Sequence, residues 1–252
     1  MSVNNLRPTE RFSDRVKDYV KFRPSYPSEL FDYLEKTCGV KGKRIADVGS
    51  GTGISTRLLL ERGAIVDAVE PNQKMREAAE TEFTGIANFH SHNGTAEATT
   101  LPDRSIDLIT CAQAFHWFDP VATRMEFDRI LKSGGKTALI WNDVDQEDDF
   151  GAAYEKFKTT YSDLSLQNVR DIEAKLDETL PQFFKTFEEK IFRNYQELDV
   201  EGLLGRYFSS SYAPREGDPK KEKIAQSLRD LFTRFQSNGV VRLSYRTELY
   251  LG

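Results

Sequence analysis

The chain has 252 residues, 38% hydrophobic and 30% charged, with a formal net charge of −5. This composition supplies a sizeable core for one domain with additions, and it lacks the positive charge that phosphate-backbone binding draws on, so no nucleic-acid partner is expected. No run approaches the ~18 apolar residues of a membrane span, and the first thirty residues hold no apolar signal core, so a soluble cytoplasmic protein is expected.

Residues 1–43 read as an N-terminal arm and helix carrying Phe12, Tyr19, Arg23 and Tyr26, with Pro24 and Pro27 breaking helical continuity. Residues 28–36 form a capped amphipathic helix with Leu30, Phe31 and Leu34 on its apolar side. A short apolar strand follows at 44–48, then Asp47-Val48-Gly49-Ser50-Gly51-Thr52-Gly53, then a helix over 54–62 that Gly63 ends. The glycines let the backbone adopt conformations closed to other residues and let a ligand approach the main chain. Residues 65–69 read as the next parallel strand, with Glu70 at its carboxyl end. An acid there, about 20 residues past a glycine turn, can accept both ribose hydroxyls of a nucleoside.

The glycine spacing separates cofactor classes. A dinucleotide fingerprint places its third glycine at position 54, which is Ile here, and no Gly-Lys-Ser/Thr of a P-loop follows. Cys38 and Cys111 lie far apart, Cys111 as a buried strand residue, and a reducing compartment suits them. His90 and His92 share a strand face, but no Cys, Asp or Glu cluster completes a ligand set, so no metal is expected.

After residue 142 the alternation of strands and helices gives way to helical stretches at 147–162 and 168–180, the second closed by Pro181. Residues 145–182 therefore read as a helical cap inserted over the mouth of the sheet. Strand six is expected at 185–198, helices at 199–210 and 219–237, and strand seven at 240–251, with Val241, Leu243, Tyr245, Thr247 and Leu249 on one face. Ser209-Ser210-Ser211-Tyr212, after a helix, reads as an ordinary helix-ending loop in preference to an acceptor-binding segment.

The Gly-x-Gly-x-Gly turn, with Asp47 two residues before its first glycine, resembles that of class I S-adenosylmethionine-dependent methyltransferases of the type 11 kind. Residues 44–142 are similar to the family's core in order. Glu70-Pro71-Asn72-Gln73-Lys74-Met75 resembles its second motif. Asn93-Gly94-Thr95-Ala96-Glu97 and residues 101–109 resemble the third and fourth strands with their adenine-side loop, where Thr95 or Ala96 stands in place of a frequent Asp. Residues 131–140 resemble the glycine turn and fifth strand. Tyr19-Val20-Lys21-Phe22-Arg23-Pro24-Ser25-Tyr26-Pro27 and Ala112-Gln113-Ala114-Phe115-His116-Trp117-Phe118 are similar to the small-molecule subgroup that includes trans-aconitate methyltransferase.

The resemblance implies an α/β, Rossmann-like, doubly wound seven-stranded sheet over residues 44–252, its last strand antiparallel. It also implies S-adenosyl-L-methionine as cofactor, S-adenosyl-L-homocysteine as product, and a small-molecule acceptor methylated on a carboxylate or hydroxyl oxygen. Expected at the cofactor are Tyr19, Arg23, Asp47, Gly49, Ser50, Gly51, Gly53, Glu70, Pro71, Met75, Thr95, Ala96, Glu97 and Gln113. Expected at the acceptor are Tyr26, His116, Trp117 and Trp141, with Phe115 a further candidate for an aromatic face toward the sulfonium. Several roles stay open at this level. Asp47 either bonds the cofactor's amino group or orders the turn, and Arg23 either pairs with its carboxylate or caps the arm. Gln113 offers the cofactor its backbone carbonyl. His116 either acts as a general base or shapes the pocket, and Trp117 is either core or pocket wall. A nicotinamide-dependent oxidoreductase and a non-catalytic S-adenosylmethionine-binding protein are the alternatives, and the chain is expected as a monomer or homodimer.

Overall fold

The computed structural model describes residues 21–161, 176–210, 212–214 and 217–252. Helix α1 (Ser28–Cys38) leads into β1 (Arg44–Val48), α2 (Ile54–Glu61), β2 (Ile65–Val69), α3 (Gln73–Glu82), β3 (Phe89–His92) and β4 (Ile106–Ala112). A 3₁₀ turn (Phe115–Trp117), α4 (Pro120–Ile130) and β5 (Leu131–Val144) follow, and then α5 (Asp149–Tyr161) and α6 (Leu176–Phe183). The chain closes with β6 (Glu188–Leu198), α7 (Val200–Phe208), α8 (Lys221–Phe235) and β7 (Val241–Leu251).

The seven strands form one sheet in the order β3-β2-β1-β4-β5-β7-β6. β1 to β5 pair in parallel, and β7 runs antiparallel to both β5 and β6, as expected. Because the order reverses between β1 and β4, loops after their carboxyl ends diverge there and leave a crevice.

Both faces of the central strands are covered, so β1 reads as a continuous buried run from Ile45 to Val48. On one face α1 and α2 contribute Leu30, Phe31, Leu34 and Leu59 against Ile45, Val66 and Ile140. On the other, Phe127 and Ile130 of α4 and Leu180 and Phe183 of α6 pack on Val48, Ile109 and Leu139. A third cluster joins Phe150, Tyr154 and Phe157 of α5 to Leu203 and Tyr207 of α7, Leu228 of α8 and the buried face of β7. Val241, Leu243 and Tyr245 supply that contact; the alternating face continues through buried Thr247 to Leu249, which packs in the cluster under α1 and α2.

Some bounds differ from expectation. β5 extends to Val144 because residues Ala138 to Val144 pair with Leu251 to Tyr245. Pro181 lies inside α6 rather than closing it: only two helical residues follow, and the Phe184 amide still donates to the Leu180 carbonyl at 2.8 Å. Residues 168–175 of the expected second helix, like Phe12, Tyr19 and Ser211, lie outside the described residues. No described helix is long and apolar enough to cross a membrane.

Candidate functional site

At the end of β1 the chain turns through Gly49, Gly51 and Gly53, with φ of 71°, 58° and 89°. The amides of Gly49 and Ser50 donate to the Val69 carbonyl at 2.8 and 3.2 Å, so the turn is tied to the end of β2. A side chain at Gly49 would place its Cβ 2.5 Å from the Ala114 Cβ, whereas one at Gly51 would meet only the Met75 sulfur, at 3.9 Å. Gly51 thus faces open space, while Gly49 permits close approach of the loop after β4.

Glu70 joins the turn to α3. Its Oε2 accepts the Gly51 amide at 2.9 Å and its Oε1 accepts the Asn72 amide at 2.8 Å. Burial pushes its carboxyl above the usual range, and the Asn72 and Gly51 amides oppose that shift. Each oxygen has one backbone donor and keeps a lone pair for a further one, which is what two ribose hydroxyls require. Asn72 caps α3 by accepting the Met75 amide at 3.2 Å.

These groups border an open cleft whose empty space, solvent at its mouth included, is about 920 Å³. It is lined by Gly49, Gly51, Glu70, Pro71, Met75, Thr95, Ala96, Glu97, Gln113 and Trp117, and also by Asn72, Ala112, Ala114 and Phe118, which sequence reasoning missed. Asn72 carries an N-cap signal, an Asn directly before a helix, that could have found it; the other three become wall only through folding of the 112–118 loop. Gln113 is held at φ 56°, a strained conformation for a non-glycine residue, by its amide to the Ile140 carbonyl at 2.9 Å and its Nε2 to the Asn142 carbonyl at 3.0 Å. Glu97 Oε1 accepts the Asp119 amide at 2.9 Å, fixing the loop after β3 to the start of α4. The carboxylate with spare acceptor capacity and the exposed glycine backbone fit a nucleoside-bearing cofactor.

Other expected residues are placed differently. Asp47 lies beneath the turn, fully buried, its oxygens accepting Thr56 Oγ1 at 2.7 Å and Thr110 Oγ1 at 3.0 Å; it orders the turn and does not line the cleft. Ser50 is also absent from the lining, and Gly53 serves packing, since a Cβ there would fall 2.4 Å from the Phe83 ring. Trp141 is core, meeting Phe115 and Tyr250 edge-on at 6.2 and 5.9 Å, because β5 is covered on both faces. Phe115 is likewise core, 4.7 Å from the Phe183 ring. Tyr26 packs against Phe31 in the cluster under α1. Arg23 donates from Nη2 to the Ser209 carbonyl at 3.4 Å, so it ties the arm to α7. His92 meets Asp67 at 2.8 Å and His90 is exposed. Cys111 is buried.

His116 needs the largest correction. It is buried, it does not line the cleft, and its pKa is pushed down to about 4 by burial and then by the charge of Arg23. A side chain that resists protonation in this way is a poor general base at neutral pH, because base strength falls with pKa. The folded value lies below the unfolded one, so stability is full above about pH 6.5 and is lost as pH falls toward 4. His116→Gln is expected to remove about 2–3 kcal/mol of the stability lost between about pH 7 and pH 4.5. Urea melts of both proteins at these two pH values check this; an identical loss in the variant would refute it.

Residues 46–139 match the family described as methyltransferase domain. An uncharacterized methyltransferase of Mycobacterium bovis is 38% identical over 135 residues, which are 54% of this chain and 53% of that protein. The match thus spans about half the length of such curated relatives. A methyltransferase-like protein of Schizosaccharomyces pombe, also uncharacterized, is 28% identical over 94% of this chain and 92% of its own. Among solved structures, a protein assigned as a type II methyltransferase from Anaeromyxobacter dehalogenans superposes with a TM-score of 0.68 at 24% identity, covering 92% of this chain and 97% of that one. At that identity the likeness speaks for the fold.

Proposed function

We propose, from the match of residues 46–139 to the family described as methyltransferase domain, that this chain transfers a methyl group from S-adenosyl-L-methionine to a small-molecule acceptor, on a carboxylate or hydroxyl oxygen. The observation that carries the reading is Glu70, a buried carboxylate that braces the Gly51 amide and keeps acceptor capacity toward the cleft.

Bound in this cleft, the cofactor would supply an electrophilic methyl on a sulfonium, its carbon–sulfur bond exchanged for a carbon–oxygen bond to the acceptor with a neutral thioether as leaving group. Glu70 would hold the ribose, and the 95–97 loop would flank the base. Gln113, locked by Ile140 and Asn142, would present its main chain at the other end. Trp117 and Phe118 would close that end against water. The chief contribution of such a frame is alignment, for which ~7–11 kcal/mol of the barrier is available from prepaid entropy. With His116 held neutral and out of the cleft, no histidine among the described residues lines the cleft, and its carboxylates, Glu70 and Glu97, are engaged with backbone amides, which favours an oxygen already ionised, a carboxylate, over a hydroxyl. We assign residues 145–182 the role of a cap on the acceptor side, residues 1–43 that of an arm over the site, and a cytoplasmic setting as monomer or homodimer.

Calorimetric titration with S-adenosylmethionine, S-adenosylhomocysteine and NAD tests this. Micromolar binding of the first two without NAD is the expected result; NAD binding alone would overturn it.

A further inference from the structure

Arg206 sits in the last turn of α7 and is 6% exposed, yet its partners are neutral. Its Nε donates to the Tyr245 hydroxyl at 3.2 Å and its Nη1 to the Ser210 hydroxyl at 3.2 Å, and no carboxylate pairs with it among the described residues. A guanidinium removed from water without a counter-charge is costly, so proteins that keep one there generally have an anion for it.

The surroundings repeat the signal. The Tyr154 hydroxyl is buried without a hydrogen-bond partner among the described residues, and it interacts with the charge of Arg206. Lys158 is close by, and the carboxylate facing it, Glu155, is engaged with that lysine. Burial pushes the Tyr212 phenol up, but the charges of Lys158, Arg206 and Arg23 bring it below its ordinary value, so the local potential is positive.

The cluster also has the right address. Arg206 touches β7 through Tyr245, and β7 is the neighbour of β5. Gln113 lines the cleft and holds the Asn142 carbonyl at the end of β5; Asn142 in turn donates to the Ser25 carbonyl at 3.1 Å. Two residues away, Arg23 reaches the Ser209 carbonyl beside Arg206, and its charge acts on His116, whose neighbour Trp117 lines the cleft. None of the cluster's residues lines the cleft, but these contacts connect it to Gln113 and Trp117 at the β4 side of the cleft and not to Glu70 or the 95–97 loop.

We infer that Arg206 anchors an anionic group, a carboxylate or phosphate of the acceptor molecule, in a subsite beside the methyl-transfer cleft. That the anion belongs to the acceptor rests on the methyl-transfer reading; the anion site itself stands apart from it. The guanidinium offers a planar fork to two oxygens of the anion, and Tyr154 offers its unused hydroxyl.

Thermal melts of the full chain test the site without turnover. About 20 mM succinate or inorganic phosphate, at ionic strength matched with KCl, should raise the wild-type midpoint by about 3 °C, with succinamide inert. Arg206→Met should abolish the shift while leaving the ligand-free midpoint unchanged or higher, since an uncompensated charge is removed. Arg206→Lys, which keeps charge without the fork, should bind the anion roughly tenfold more weakly with S-adenosylhomocysteine affinity within about twofold. A larger shift with succinate than with phosphate identifies a carboxylate site, and the reverse a phosphate site. Equal anion shifts in wild type and both variants, or none in wild type, would overturn the inference. An Arg206-dependent shift in a protein that binds no S-adenosylhomocysteine would uphold the anion site and discard the methyl-transfer reading.

Discussion

Alanine at position 70 should weaken binding of S-adenosylhomocysteine by about 1–3 kcal/mol, roughly 5- to 150-fold, because a charged acceptor would be lost from buried donors. Two of those donors are the protein's own. With Glu70 gone, the amides of Gly51 and Asn72 lose partners at 2.9 and 2.8 Å, so the turn after β1 and the start of α3 come apart together. Glu70→Gln should not rescue, since its amide nitrogen would face a backbone N–H where an acceptor stands now. Calorimetry and thermal melts, read together, separate the two contributions. A lower midpoint with unchanged affinity would leave Glu70 as a brace of the turn and remove the ribose assignment.

The run from residue 44 to residue 70 was legible because its signals are local: a buried five-residue strand, three glycines in positive φ, and an acid at the end of the next strand. β7 was legible for the same reason, its alternation being a property of a single segment. What escaped depends on chain segments far apart. Trp141 and Trp117 both follow apolar runs, but whether such a ring meets core or cleft is decided by α6, α4 and β7, which cover Trp141 and leave Trp117 at the edge. His116 reads as a near-neutral base only if water reaches it, and its burial beside Arg23 is a tertiary fact. Arg206 carries no sequence signal, since one arginine in a helix window is ordinarily a surface residue. It becomes informative once β7 brings Tyr245 against it.

Asp47→Asn is expected to stabilise the ligand-free protein while impairing it. Burial raises the Asp47 carboxyl to about 6, against the opposing hydrogen bonds from Thr56 and Thr110. The folded value exceeds the unfolded one, so the stability this group contributes is complete below about pH 4 and is lost as pH rises through about 6. Above that the protein carries a buried anion at a cost of about 3 kcal/mol relative to the protonated form. Asparagine carries no such charge, and after allowance for weaker bonds to the two threonines the variant should exceed wild type by about 1–2 kcal/mol near pH 8 and fall below it by about as much near pH 4. The charge is kept because of what lies above it. Asp47 acts electrostatically on Glu70, so two carboxylates bias one cleft toward a cation. S-adenosylmethionine brings a sulfonium and an ammonium, its product only the ammonium. Asp47→Asn should therefore weaken S-adenosylmethionine about tenfold and S-adenosylhomocysteine less. Titrating both ligands into both proteins near pH 8, beside melts at the two pH values, decides it. An equal loss for the two ligands would deny Asp47 any part in sensing the sulfonium, and a variant no more stable near pH 8 would deny that it carries a buried charge.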